Sequence, residues 1–188
     1  MKKSIKLFTM LVSFLMIVSF LPACASYADA DAVANEAVAL ASSYAKQLDG
    51  AWGDQHAELI NMSKGDFAKF SPDLFAGYED MRAVLCGFLA IRSDAGSNAT
   101  YIYVLYPAGP IDSAPFFITV DASDPPSDYG TEHEWEAAFA AAWKGTPTAG
   151  SEAWEDEEGA GLLLSAYAPI HDSKGNVVAL LGVDYPAR

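Results

Sequence analysis

Two long apolar runs near the C-terminus, Leu162–Ile170 and Val177–Val183, flank a short polar segment at residues 172–176. Gly175 in this segment can adopt the positive φ that a short hairpin loop with a bulge requires. The pattern therefore predicts a long β-hairpin. A hairpin this apolar is not stable alone in water, so we expect the rest of the chain to cover it.

Two further strands are predicted upstream, at Thr100–Tyr106 and Phe116–Asp121. Both runs are rich in β-branched and aromatic residues and are bounded by Pro-containing or turn-rich segments. Because side chains alternate along a strand, Tyr101 and Tyr103 are expected on one face of the sheet. A further short strand is expected between residues 148 and 154.

Apolar residues recur every three to four positions in three segments, which indicates amphipathic helices. The segments are residues 31–62, 71–92 and 131–145. The third begins with Thr131-Glu132-His133-Glu134, which matches a capping box. The first would be about 45 Å long as one unbroken helix, although Gly50 weakens its second half. Together these elements predict a single α+β domain over residues 31–186, with an antiparallel sheet.

The N-terminus has the features of an export signal. Residues 1–6 are cationic, and the uncharged apolar run Leu7–Ala23 ends at Cys24. Leu21-Pro22-Ala23-Cys24 resembles a bacterial lipobox, which would place a lipid anchor on Cys24. Ordinary cleavage after Ala30 and a retained signal anchor are the alternatives. All three assign residues 1–24 to a signal or anchor and place the domain outside the cytoplasm, either free or at the cell envelope.

The charge of the exported part excludes some partners. All 25 acidic residues but only 8 of the 11 basic ones follow Cys24, which leaves a net charge of −17. Such a surface argues against binding to nucleic acid and against electrostatic docking on anionic lipids.

No catalytic or metal-binding set is evident. The three histidines, His56, His133 and His171, are isolated and lack the spacing of zinc ligands; we expect His133 and His171 to be exposed. Cys86 fits a small buried side chain in a helix. Ser165 lies in an apolar strand without the Gly-x-Ser-x-Gly elbow of hydrolases. No enzyme activity, cofactor or metal is therefore expected.

One set of residues has the composition of a small-molecule pocket, with aromatic walls and a few hydroxyl and carboxyl groups. Ser165 and Tyr167 point the same way from one strand, and Asp184 ends the neighbouring strand. The alternative is that these are ordinary satisfied polar groups at a sheet edge. The predicted ligand-binding residues are Tyr103, Asp121, Tyr129, Trp135, Trp154, Ser165, Tyr167 and Asp184.

The order and spacing of these segments resemble the Cache family, the extracytoplasmic PAS-like ligand-sensing domains of bacterial receptors. Together with the N-terminal helix, the matching stretches extend over nearly all of the chain after the signal. They are Tyr101–Pro107, Phe117–Asp121, Asp128–Gly130, Gly161–Ile170 and Gly175–Asp184.

The resemblance implies a PAS-like fold with an antiparallel sheet of about five strands and a long N-terminal helix packed along it. It also implies a pocket between the sheet and residues 121–158. In relatives that bind amino acids or amines, an aspartate near the end of the last strand and aromatic residues of the covering segment contact the ligand. The matching positions are Asp184, Tyr129 and Trp135.

The chain also departs from the family pattern. Many relatives have an aromatic residue at the position of Leu163, and the covering segment has no arginine, with Lys144 as its only basic residue. A neutral or cationic ligand, an amino acid or an amine, is therefore favoured over one bound through a carboxylate. Family members usually continue into a transmembrane helix and a signalling module, whereas this sequence ends at Arg188. It is expected to be either a receptor fragment or a stand-alone exported domain.

Three functional hypotheses follow. The first is a non-catalytic binding domain that senses or captures a small molecule, with a membrane signalling partner. The second is an interaction module that docks on a membrane receptor and has a vestigial pocket. The third, a hydrolase, would need a base within hydrogen-bond reach of Ser165.

Overall fold

The computed structural model describes residues 30–90, 99–157 and 159–187. The predicted signal, Cys24 and the predicted end of the second helix near residue 92 lie outside these ranges. The helices are α1 (Ala30–Leu48), α2 (Ala51–Ser63), α3 (Tyr78–Ala90) and α4 (Ala137–Trp143), with a 3-10 turn at Pro72–Leu74. The strands are β1 (Tyr101–Pro107), β2 (Phe116–Asp121), β3 (Thr131–His133), β4 (Thr148–Ala149), β5 (Trp154–Asp156), β6 (Gly161–His171) and β7 (Val177–Pro186).

All strand pairings in the sheet are antiparallel, and the strand order is β3-β2-β1-β7-β6-β4. Strand β5 also pairs with β6, at the beginning of that strand, Gly161–Leu163. The predicted hairpin is β6–β7, and the predicted strands β1 and β2 lie beside it. The short strand expected between residues 148 and 154 is present as β4, and β5 begins at Trp154.

The tip of the hairpin is held by Asp172. Its carboxylate accepts hydrogen bonds from the backbone N–H groups of Lys174 and Asn176 and from the Asn176 side chain, at 2.8–2.9 Å. Gly175 has the positive φ expected of it, +83°. The polar segment therefore closes the hairpin as the sequence predicts.

One face of the sheet is covered by α1, α2 and α3. Helix α1 packs on β6 and β7 through a stripe of small residues, Ala37, Ala41 and Ala45, which allow the helix to approach the strands closely. The α+β fold with an antiparallel sheet and a long N-terminal helix packed on it is thus confirmed. Within the described ranges, no helix combines the length and apolar character needed to cross a membrane.

The expected helix over residues 31–62 is instead two helices, because the chain breaks at Gly50, whose φ is +81°. The break is fixed by the hairpin. Gly50 N–H donates to the His171 carbonyl at 2.9 Å, and the Asp49 carboxylate accepts hydrogen bonds from His171 N–H and Nδ1 at 2.8 and 3.0 Å.

The other face of the sheet is covered by α4 and the chain around it. The helix predicted to start at Thr131 begins only at Ala137. Residues 131–133 form β3, in which His133 pairs with Phe116 of β2. The capping-box sequence was therefore misleading, because an open edge of β2 was available for pairing.

Candidate functional site

Four of the predicted residues, Tyr103, Ser165, Tyr167 and Asp184, come together on the face of the sheet that α4 covers. Their side chains are buried, with residue exposures of 5%, 4%, 0% and 4%. They come from three adjacent strands, β1, β6 and β7, and Ser165 lies directly opposite Asp184 across β6 and β7. We call these four residues the polar cluster.

Gly182 makes room for the polar cluster. It lies opposite Tyr103 in β1 and opposite Tyr167 in β6, and a Cβ at this position would collide with the Tyr103 ring. The missing side chain lets the Tyr103 ring lie over β7. From there its hydroxyl donates a hydrogen bond of 3.0 Å to Asp184 Oδ1.

Two side chains of the covering segment complete the hydrogen bonding. Trp154 of β5 donates from Nε1 to Ser165 Oγ at 3.0 Å, so the predicted residue Trp154 also belongs to the site. The Tyr167 hydroxyl donates to Glu136 Oε1 at 2.8 Å. Glu136 immediately precedes α4, and the sequence did not point to it.

The polar cluster contains buried acidic groups, and burial dominates their electrostatics. Burial raises the pKa of Asp184 to about 6, although hydrogen bonds from Ser165 and Tyr103 oppose the rise. Burial also raises the pKa of Tyr103 and Tyr167 well above the usual value. In the described ranges, no salt bridge joins a lysine or arginine to Asp184 or Glu136.

His133 also belongs to this site, contrary to the expectation that it is exposed in a helix. It lies at the end of β3, partly buried, with its ring stacked on Tyr103 at a centroid distance of 5.7 Å. Its ring also contacts Phe139 and Tyr167, at 5.4 and 6.4 Å. The pairing of β3 with β2 places it there, and periodicity could not show this.

Helix α4 closes the face over the polar cluster. Phe139 is fully buried and packs on Phe116 and Tyr167, with ring centroids 4.5 and 4.7 Å apart. Ala138 and Ala142 pack beside it. The polar cluster therefore lies beneath α4 in this conformation, and a ligand could reach it only if the cover moves.

The remaining three predicted residues lie elsewhere. The Asp121 carboxylate binds its own loop, accepting hydrogen bonds from Ser123 and the Ser127 N–H at 2.7–2.9 Å. Tyr129 packs against Phe67, Phe70 and Tyr78 beside the helix-covered core. Asp121 is the cross-strand partner of Tyr103 in β1, but its carboxylate is engaged by its own loop, and Tyr129 belongs to the helix-covered side.

Trp135 is 38% exposed, and its Nε1 donates to the Ile111 carbonyl at 3.1 Å. It borders a surface groove of about 550 Å³, whose other lining residues are Ser113, Pro115, Glu132 and Glu134. Trp135 therefore belongs to a different surface from the polar cluster. No group of three or more metal-ligating side chains occurs in the described part of the chain.

No known protein-family description matches this chain, and no curated protein matches it. Solved structures do match it in fold. The sensory domain of the Campylobacter jejuni chemoreceptor Tlp3 with isoleucine bound is 14% identical, with a TM-score of 0.38, over 83% of this chain and 60% of that one. The ligand-binding domain of Tlp3 in complex with L-valine is 13% identical, with a TM-score of 0.37, over 83% and 60%.

The periplasmic sensory domain of the Campylobacter jejuni chemoreceptor Tlp1 is 13% identical, with a TM-score of 0.38, over 82% of this chain and 61% of that one. The chain thus spans about three fifths of the length of these domains. These three solved structures are sensory or ligand-binding domains of bacterial chemoreceptors.

Proposed function

We propose that this chain is an extracytoplasmic binding domain for a small molecule with a cationic group, an amino acid or an amine, which Asp184 holds. The observation that carries the proposal is the burial of the Asp184 carboxyl group, 4% exposed, without a salt bridge to a lysine or arginine in the described ranges. Burial of an unpaired carboxylate is costly. A ligand ammonium group would supply the missing charge.

The neighbours of Asp184 suit the recognition of such a ligand. Tyr103 already donates to Asp184, and Ser165 lies beside it across the strand pair. The ring of Tyr103 is an aromatic surface that can bind a cation. The indole of Trp154 donates to Ser165 Oγ and therefore lies on the side of the polar cluster where Ser165 is found. Strongly perturbed acids with a specific set of polar neighbours are typical of functional sites.

The proposal is tested by isothermal titration of the purified protein with a panel of amino acids and primary amines. Binding of at least one compound is expected, and Asp184→Asn should weaken it by at least about tenfold, or about 1.4 kcal/mol. Asp112→Asn is the matched control, since Asp112 is exposed and forms a surface salt bridge with Lys144. Equal affinity of the Asp184→Asn variant and the wild type would contradict the proposal.

A second candidate function is an interaction module that docks on a membrane receptor, with the pocket no longer used. The tight packing of Phe139 on Phe116 and Tyr167 favours it, because side chains fill the space where a ligand would lie. A cocrystal with an amine bound between Tyr103 and Asp184 would exclude this candidate.

The proposal includes export by residues 1–24, with Cys24 as the lipidation site. Mass spectrometry of the protein purified from membranes would show an acylated Cys24 at the new N-terminus. A mature protein that begins after Ala30 would instead indicate free secretion.

A further inference from the structure

The His133 ring lies within a group of aromatic rings beside the acid of the proposed site. It stacks on Tyr103 with an interplanar angle of 27°, and it meets Phe139 and Tyr167 at steep angles of 74° and 90°. His133 is also close enough to Asp184 for its charge to lower the pKa of that carboxyl group. Aromatic rings around a position next to a carboxylate provide the chemistry that recognises an organic cation.

We propose that His133 is a tethered occupant of the cation site, and that a cationic ligand binds by displacing its ring. The inference rests on the proposed function, since it assigns a role to a residue of the same site. Imidazole resembles such a ligand, because it is a compact ring with polar N–H groups that can carry a positive charge. The stacked face of Tyr103 becomes available to a ligand only when this ring leaves.

The strand that carries His133 is suited to local opening. Strand β3 is three residues long, lies at the edge of the sheet and pairs with β2. Thr131 and Glu132 are exposed. Short, exposed edge segments with few buried contacts open at low free-energy cost compared with global unfolding.

Opening of β3 would also loosen the cover. Glu136, which accepts the hydrogen bond of Tyr167, lies three residues after His133 and immediately before α4. Withdrawal of residues 131–136 therefore removes His133 from Tyr103 and Glu136 from Tyr167 together. One movement exposes both the aromatic face and the hydroxyl groups of the site.

A tethered occupant lowers the apparent affinity for a ligand. If the state with His133 withdrawn makes up less than about a tenth of the population, removal of the imidazole raises apparent affinity by about tenfold or more. The increase in affinity arises in the unliganded protein, because in the variant no imidazole ring has to leave the site before a ligand binds.

The test is a calorimetric titration with tetramethylammonium chloride, with sodium chloride at matched ionic strength as the blank. We expect His133→Ala to bind the probe about tenfold or more tightly than the wild type. His171→Ala is the matched control, because His171 lies at the opposite end of the hairpin against Asp49, and it should bind like the wild type. Equal or weaker binding by His133→Ala would overturn the inference.

NMR of the wild-type protein gives a second measurement that does not depend on the stability of a variant. The chain has three histidines, so their ring resonances can be assigned. Ring currents from Tyr103 and Phe139 should shift the resonances of the His133 ring protons away from those of free imidazole. Saturation with tetramethylammonium should return these chemical shifts towards the values of free imidazole. Unchanged His133 resonances in the saturated protein would overturn the inference.

The two proposals fail in different ways. If binding depends on Asp184 but His133→Ala does not strengthen it, the tethered-occupant inference is wrong and the proposed function stands. If neither the wild type nor His133→Ala binds tetramethylammonium or any compound of the amine and amino-acid panel, both are wrong.

Discussion

The Tyr103 ring occupies the space that a side chain at position 182 would need, and the two residues face each other across β1 and β7. This close approach places the Tyr103 hydroxyl over β7, 3.0 Å from Oδ1 of Asp184 in that strand. The geometry of the polar cluster therefore depends on the absence of a side chain at position 182 as much as on its polar groups.

Gly182→Ala is expected to displace the Tyr103 ring and break its hydrogen bond to Asp184. Overpacking of this kind costs about 1–3 kcal/mol. Urea unfolding should show a lower midpoint than the wild type, and amine binding should weaken.

The matched control is Gly87→Ala, an exposed glycine within α3 where an added Cβ meets no atom within 4 Å. This change should stabilise the protein by about 0.5–1 kcal/mol, because alanine is the better helix former. A Gly182→Ala variant as stable as the wild type would show that Tyr103 does not need the space.

Asp184 should make stability fall as pH rises from about 4 to 6. Its pKa is raised from 3.8 to about 6 in the folded state, so the folded protein holds a proton that the unfolded chain has released. A shift of this size corresponds to about 3 kcal/mol. Urea midpoints measured at intervals through this range should therefore rise for Asp184→Asn relative to the wild type as pH increases, whereas the difference between Asp112→Asn and the wild type should stay constant.

His56 should have the opposite effect on stability. It is fully buried, and burial lowers its pKa from 6.5 to about 3. The unfolded chain therefore takes up a proton first, and the contribution of His56 is fully present above pH 6.5 and is lost as pH falls towards 3. The shift corresponds to about 5 kcal/mol.

His56→Gln should reduce the loss of stability at acid pH. The glutamine amide N–H can still donate to Thr119 Oγ1, which His56 Nε2 contacts at 2.8 Å. The effects of Asp184 and His56 on stability oppose each other between pH 4 and 6. Asp184→Asn should therefore show the rise of stability with pH that is due to His56, and His56→Gln should show the fall that is due to Asp184. Identical pH profiles for His56→Gln and the wild type would show that His56 protonates without unfolding the protein.

Trp154→Phe should weaken amine binding by roughly threefold to tenfold, since it removes the donor to Ser165 Oγ, a bond of about 1 kcal/mol. Trp135→Phe is the matched control. Trp135 borders the separate surface groove, so its loss should leave the calorimetric affinity unchanged. If only Trp135→Phe weakens binding, the ligand site lies at the groove.

Local pattern was sufficient for the four longest strands and for the shared face of Ser165 and Tyr167. Strands β1, β2, β6 and β7 follow from apolar and β-branched runs, and alternation along β6 placed Ser165 and Tyr167 on one face. The break of the N-terminal helix was harder to predict. Gly50 weakens a helix, but its contact with the His171 carbonyl decides that the helix ends there.

The covering segment was beyond sequence reasoning because tertiary pairing decides its structure. A capping-box pattern favoured a helix from Thr131, yet pairing with β2 made residues 131–133 a strand and placed His133 on Tyr103. Asp121 and Tyr129 have the chemistry of a pocket, but Asp121 caps its own loop and Tyr129 packs beside the helix-covered core. Composition identifies candidate residues, and only the fold separates the structural ones from the rest.

Strand β7 connects the two layers of the domain through adjacent residues. Asp184 faces the polar cluster, whereas the Tyr185 hydroxyl donates to Glu36 of α1 at 2.8 Å on the opposite side. At its other end, α1 is fixed to the hairpin tip through Asp49 and Gly50. Neighbouring residues of one strand therefore supply the buried acid of the candidate site and contact the first half of α1, so that a displacement of β7 at Asp184 would also act on the Tyr185–Glu36 contact on the other side of the sheet.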